Sequence, residues 1–143
     1  MPSRHRETSI ELEVPFHDVD AGRRVWHGHY YRYFELARTA LLRACDLDIG
    51  DSSPLGTGAG GKGYEFVVIE SRCRHAAPLR YGDRFRASAW FRDHERRVMI
   101  GYEIWNLTTE TRSARGHTAL VTLDATGALL QKTPDEILKR IRS

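Results

Sequence analysis

One change of rhythm constrains this chain more than anything else in it. From about His29 to Cys45, Tyr30, Phe34, Ala37, Leu41 and Ala44 recur at the spacing of one helical face. Tyr33, Leu36 and Ala40 widen that stripe, and Arg32, Thr39 and Arg43 give it a polar edge. Such a stripe predicts a helix buried along most of its circumference. Around it the pattern is that of strands. Ile10, Leu12 and Val14 alternate with Glu11 and Glu13, predicting a strand over Ser9–Phe16. Four more are predicted over Tyr64–His75, Arg84–Arg92, Val98–Leu107 and Ala114–Leu123. In the second of these, Phe85, Ala87, Ala89 and Phe91 oppose Arg84, Arg86, Ser88 and Arg92, with Trp90 breaking the polar face. The connections DHER and TTETRS suit antiparallel hairpins. The closing TPDEILKRIRS predicts a short helix, with Thr133 as N-cap before Pro134, acids first and bases last. This order is an α+β plan. Five antiparallel strands can bury one long helix only by curling round it.

The totals bound the rest. A chain of 143 residues makes one domain, 1–143, and 41% hydrophobic with 29% charged residues argues against disorder. No apolar run approaches the roughly 20 residues of a membrane span. The opening MPSRHRETSIELEV lacks the apolar stretch of a signal peptide. Cys45 and Cys73 stand alone and read as free thiols, which fits a reducing cytoplasm. The net charge of +3 comes from arginines scattered over the length, the pattern of a solvated surface rather than of a nucleic-acid interface. It also favours polyanionic ligands. Residues Gly50–Gly63 read as a loop. Gly56, Gly58 and Gly61 match GxGxxG, and Gly56–Lys62 match most of a phosphate loop. Both motifs need a helix N-terminus to follow, whereas EFVVIESRC is strand-like and Gly63 replaces the required Ser or Thr.

The segment VPFHDVDAGRRVWHGHYYRYFELAR carries an aromatic residue, DxDxxG, a Tyr-or-His position and a YFExAR ending in Phe16, Asp18, Asp20, His27, Tyr30, Tyr33, Phe34, Glu35, Ala37 and Arg38. It resembles the signature of the 4-hydroxybenzoyl-CoA thioesterase family, nearest the branch associated with the Tol-Pal system. FVVIESRCRHAAPLRYGDRF resembles that family's second strand and its AP…D turn. The resemblance implies a hotdog fold, a curved antiparallel five-stranded sheet wrapped round one long buried helix. It implies hydrolysis of an acyl-CoA or acyl-carrier-protein thioester, with Asp20 as the catalytic carboxylate. It also implies that the backbone N–H at His27 polarises the carbonyl. Arg23 and Arg24 stand where the family has small or apolar residues, and His29 where Asn is common. These departures bear on substrate identity more than on reaction type.

Thioester hydrolysis needs a nucleophile or activated water, and donors where the oxyanion develops. Asp20 suits the first role, as nucleophile or as general base. The free N–H groups of His27 and Gly28, at the start of a helix, suit the second, and the His27 imidazole is a second catalytic candidate. Tyr30 and Phe66 are the substrate-binding candidates. No cofactor or metal is expected, because coenzyme A enters as part of the substrate. An open sheet edge predicts a homodimer or homotetramer.

Read singly, these residues have plainer roles: Asp18 and Asp20 as turn residues, His27 as a structural histidine, and Glu35 with Arg38 as a helical ion pair. Three alternatives stay open. A metal site would draw on His17, Asp18, Asp20, His27 and His29, although HxH at a helix start points its rings about 200° apart. A hotdog dehydratase and a non-catalytic acyl-CoA-binding protein are the others.

Overall fold

The computed structural model describes residues 4–48 and 53–143. Strands β1 (His5–Glu13), β2 (Glu65–His75), β3 (Arg84–Asp93), β4 (Val98–Asn106) and β5 (Thr111–Leu123) form one antiparallel sheet in the order β1-β3-β4-β5-β2. Helix α1 (His29–Ala44) connects β1 to β2, the two edges, so the chain crosses the whole sheet between them. A short helix, α2 (Asp135–Arg142), closes the chain. No described helix is long and apolar enough to cross a membrane.

Helix α1 buries Tyr30, Tyr33, Phe34, Ala37, Leu41 and Leu42. They share a core with Phe85, Ala87, Ala89 and Phe91 of β3 and Ile100, Tyr102 and Ile104 of β4. Phe34 stacks on Tyr102 at 4.5 Å between ring centroids and reaches over Gly116 of β5. A Cβ at Gly116 would lie 2.1 Å from the Arg72 carbonyl oxygen and 2.7 Å from the Phe34 ring, so only glycine fits this crossing. Burial of a side chain such as Phe34 contributes about 2–3 kcal/mol.

The structure departs from the sequence expectations at several points. Helix α1 buries one face, leaving Tyr31 and Leu36 exposed, because the sheet covers only one side of it. Among the described residues Glu35 and Arg38 form no ion pair; Arg38 Nη1 instead donates to the Tyr102 hydroxyl at 3.4 Å. Strand β1 starts at His5 and ends at Glu13, because the Val14 N–H turns aside to the Asp83 carbonyl at 2.9 Å. Strand β5 starts at Thr111. The α2 N-cap is Pro134 without a side-chain cap, and the buried Thr133 hydroxyl has no partner among the described residues. Trp90, which interrupts the polar face of β3, lies flat over Gly101 and under the Arg4 guanidinium.

Of the glycine-rich loop, positions 50–52 lie outside the described residues. The remainder folds back through Gly63 N–H to the Gly56 carbonyl at 2.8 Å and Tyr64 N–H to the Leu55 carbonyl at 2.9 Å, then enters β2 directly. No helix N-terminus follows it to hold a phosphate.

Candidate active site at the start of α1

The segment between β1 and α1 folds as a small hairpin. Val19 bridges Val25, the Asp20 N–H donates to the Arg24 carbonyl at 2.9 Å, and the Arg23 N–H donates to the Asp20 carbonyl at 2.9 Å. Asp20 Oδ1 accepts the Gly22 N–H at 2.8 Å, the local bond that suits Asp to a turn. Its other oxygen has no partner among the described residues, and the side chain is exposed. The carboxylate is thus tethered by one oxygen and free at the other. Beyond Val25 the chain enters α1 through Gly28 at the N-cap. Among the described residues the N–H groups of His27 and Gly28 find no acceptor. The first turn of α1 itself carries no acid.

Asp18 anchors this hairpin. It is 1% exposed, and its Oδ2 accepts hydrogen bonds from the Tyr33 hydroxyl at 2.5 Å and from Arg32 Nη2. Burial alone would raise its carboxyl, but the bonds from Tyr33 and Arg32 prevail and hold it below the ordinary carboxylate range. The same interaction, added to burial, drives the Tyr33 hydroxyl strongly upward. The Asp18 carbonyl takes the Trp26 N–H at 3.0 Å, so one residue holds both limbs of the hairpin to α1. Its Oδ1 is buried without a hydrogen-bond partner among the described residues, facing His17 Nε2 at 3.5 Å and His29 Nε2 at 3.9 Å. No group of three or more His, Cys, Asp or Glu among the described residues is arranged to hold a metal ion.

The AP…D turn supplies the far wall. The Leu79 carbonyl accepts the Val25 N–H at 2.8 Å, and the Leu79 N–H donates to the Tyr30 hydroxyl at 3.3 Å. Tyr30, 3% exposed, packs edge-on to His75 at 4.6 Å, and His75 lies edge-on to His27 at 6.3 Å. Burial first, and the charge of His27 second, hold the His75 imidazole below its ordinary value. Cys73 packs against the core from the same strand, and burial pushes its thiol up to about 11. Both cysteines are free, and at this value Cys73 is a thiol rather than a nucleophilic thiolate near neutral pH.

His27, Gly28 and Tyr30 therefore come together at the start of α1, and Asp20 lies in the hairpin that feeds it. Phe66 does not join them within one chain. It packs on the core at the other end of β2, on the order of 30 Å from His75 at the strand rise. Asp18 was legible as a motif residue but not in its anchoring role, and His75 carried no local signal. Asp18 draws its partners from α1, and His75 reaches the site because β2 shifts register between Val68 and Glu70, which exchanges its faces.

Comparison with known proteins gives this arrangement its setting. The sequence model of the Thioesterase superfamily matches residues 22–113, from just beyond Asp20 through His27, Gly28, Tyr30, Phe66 and His75. A Bacillus subtilis protein named "Putative acyl-CoA thioesterase YneP" is 29% identical over 97 residues. That match covers 67% of this chain and 65% of the relative, so the chain spans just under two thirds of that protein's length. The crystal structure of AQ1494 from Aquifex aeolicus superposes with a TM-score of 0.78 at 24% identity, over 94% of this chain and 98% of that one. Slr0204 of Synechocystis, a 1,4-dihydroxy-2-naphthoyl-CoA thioesterase, also gives a TM-score of 0.78, at 17% identity and over 96% of each chain. At such identities the likeness speaks for the fold, and the sheet with its two helices fits an α+β hotdog. A family match over most of the chain, on a scaffold shared with these structures, means that the chain belongs to the thioesterase superfamily.

Proposed function

We propose that this protein hydrolyses an acyl thioester of coenzyme A or of a carrier protein, with Asp20 as the reacting carboxylate. The observation that carries the reading is one junction. A carboxylate tethered by one oxygen sits in the hairpin that ends at the start of α1, where two N–H groups have no acceptor among the described residues. The N–H groups of His27 and Gly28 receive the carbonyl oxygen and gain strength as it becomes an oxyanion. Asp20 acts in one of two ways. As nucleophile it attacks the carbonyl carbon, the C–S bond breaks, the thiolate departs, and water hydrolyses the resulting mixed anhydride. As general base it takes a proton from water, which attacks in its place. His27 orients the water or the carboxylate, and Tyr30 borders the acyl group. The reaction calls for no cofactor and proceeds in the reducing cytoplasm.

The active unit is a homodimer, or a pair of dimers, with the sheet curling round α1 in each subunit. Strand β2 is an open edge with Val68 and Ile69 exposed, a surface that natural sheets cover. Antiparallel pairing of two such edges about Glu70, the middle of β2, sets Phe66 of the partner subunit beside Arg74 and His75. Phe66 then serves the site from across the dimer.

Thiol release from a panel of acyl-CoA esters tests the reading. The wild-type protein should turn over at least one of them. Asp20→Asn should lower kcat at least about a hundredfold, the scale of a lost base or nucleophile, without loss of fold. Binding without thiol release would identify a non-catalytic acyl-CoA protein. Elimination of water from a hydroxyacyl ester would identify a dehydratase. A folded Asp20→Asn protein with near-full activity would remove Asp20 from the mechanism.

A further inference from the structure

The two arginines that follow the Asp20 turn are placed in a way the reaction alone does not require. Residues 20–24 make a type I turn closed by a bulge, a loop whose bulge position takes a left-handed residue and favours glycine. Arg23 occupies that position with φ 65°. A side-chain-bearing residue is strained there relative to glycine, which visits the region freely. Arg24 comes next, and its Nε lies 3.9 Å from the Cβ position built at Gly22, while Asp20 Oδ1 lies 3.1 Å from the same point. The guanidinium and the carboxylate are therefore no further apart than the sum of those distances. Their closest charged atoms nonetheless form no ion pair, and both arginines are exposed with side chains that bond to no acceptor among the described residues. The charge of Arg24 also reaches the buried Tyr30.

Two N–H groups already serve the oxyanion, and Arg32 is taken up by Asp18. Two unengaged guanidinium groups beside the reacting carboxylate exceed what a neutral acyl group needs. They match a second, permanent negative charge close to the thioester. We propose that Arg23 and Arg24 bind a carboxylate carried by the acyl group itself, so that the substrate is the mono-thioester of a short dicarboxylic acid. This inference rests on the thioesterase reading above. Location separates it from recognition of the nucleotide phosphates, because the long pantetheine arm holds those phosphates far from the thioester carbon, whereas Arg24 stands next to Asp20. Guanidinium is the suitable cation, since its planar fork meets a carboxylate with two parallel hydrogen bonds.

The test pairs two uncleavable thioethers that share coenzyme A and differ only at the chain end, carboxypropyl-CoA and butyl-CoA, with the cleavable esters succinyl-CoA and butyryl-CoA. Calorimetry should find the carboxylated thioether bound at least tenfold more tightly, with a preference that weakens as salt is added. Hydrolysis should favour succinyl-CoA in kcat/KM by a similar factor. In the double variant Arg23→Gly, Arg24→Val the ratio between carboxylated and neutral ligands should fall to within about threefold. Arg23→Gly alone should lower that ratio while raising the melting temperature, the signature of strain retained for binding. Equal affinity of the wild type for both thioethers would overturn the proposal. So would an equal loss of both ligands in the double variant, which would assign the arginines to the shared coenzyme A moiety. If no ester is hydrolysed but the thioether preference and its loss persist, the catalytic reading fails and the anion site stands. Hydrolysis of neutral esters with no thioether preference gives the reverse.

Discussion

Replacing Asp18 by alanine tests whether this buried carboxylate anchors the active-site hairpin. The substitution removes the only acceptor that the Tyr33 hydroxyl has among the described residues and leaves it on a buried ring packed against Phe85. A hydrogen bond to an ionised group contributes about 1.5–3 kcal/mol. The Arg32 side chain is 48% exposed, so solvent screens its share, which adds no more than about 1 kcal/mol. Against these stands the relief of desolvating Oδ1, which is buried without a partner. The expected net loss is about 2–3 kcal/mol at pH 7. At about 3–4 °C per kcal/mol for a domain of this size, the melting temperature should fall roughly 6–12 °C. Urea unfolding followed by circular dichroism, at unchanged m-value, measures it. A double-mutant cycle with Tyr33→Phe should give a coupling of about 1–2 kcal/mol. The pH dependence adds a second test. Asp18 is held below the ordinary carboxylate range, so its contribution is present above about pH 4 and is lost as the pH falls through its lower folded value. The gap between wild type and Asp18→Ala should therefore narrow as the pH falls below about 4. A variant within about 0.5 kcal/mol of wild type at pH 7, or a gap that persists in acid, would refute the anchoring role.

For His27, Ala and Phe variants should both lose activity, within the hundredfold to ten-thousandfold range of acid–base groups, while Tyr should retain some; full activity in His27→Ala would confine the residue to its backbone N–H. Light scattering at micromolar concentration should find a dimer or tetramer, and a fully active monomer would contradict the site shared through Phe66. His75 is held below its ordinary value by burial and by His27, so the fold resists its protonation and stability should fall as the pH drops below about 6.5. Calorimetry at pH 7 and pH 5 should show a smaller loss for His75→Gln than for wild type, and an equal or steeper loss would overturn this account.

Residues close in sequence made much of this fold legible. The α1 stripe set that helix to within a residue of its observed end, because helical neighbours lie only three or four positions apart. The alternation in β3 held for the same local reason. The start of β1 was not legible, since HRET is polar and becomes strand only through pairing with β3. The width of the apolar stripe overstated the burial of α1, because Tyr31 and Leu36 have no sheet above them. In the site, the DxD hairpin and the start of α1 could be read as a motif, but the division of labour between its acids could not. Asp18 is buried and Asp20 exposed because the hairpin turns one carboxylate toward Tyr33 and the other toward solvent, and that choice depends on α1 docking. His75 stayed hidden behind the register shift in β2.

The strand order also governs what happens while the chain is being made. Strands β3, β4 and β5 follow one another and pair through short hairpins, whereas β1 and β2 find their partners only across long stretches of chain. Every residue placed in the candidate site precedes β3, so the ribosome delivers that site before most of its scaffold. Helix α1 leaves the tunnel with an apolar face whose main cover, β3 and β4, is complete only at Asn106. At 5–20 residues per second that interval lasts roughly 3–12 s, ample time for exposed Tyr30, Phe34 and Leu41 to meet another nascent chain. Loss of residues from the C-terminal side should therefore aggregate this protein far more readily than loss from the start of β1, because it strands the helix without the surface it was shaped to cover.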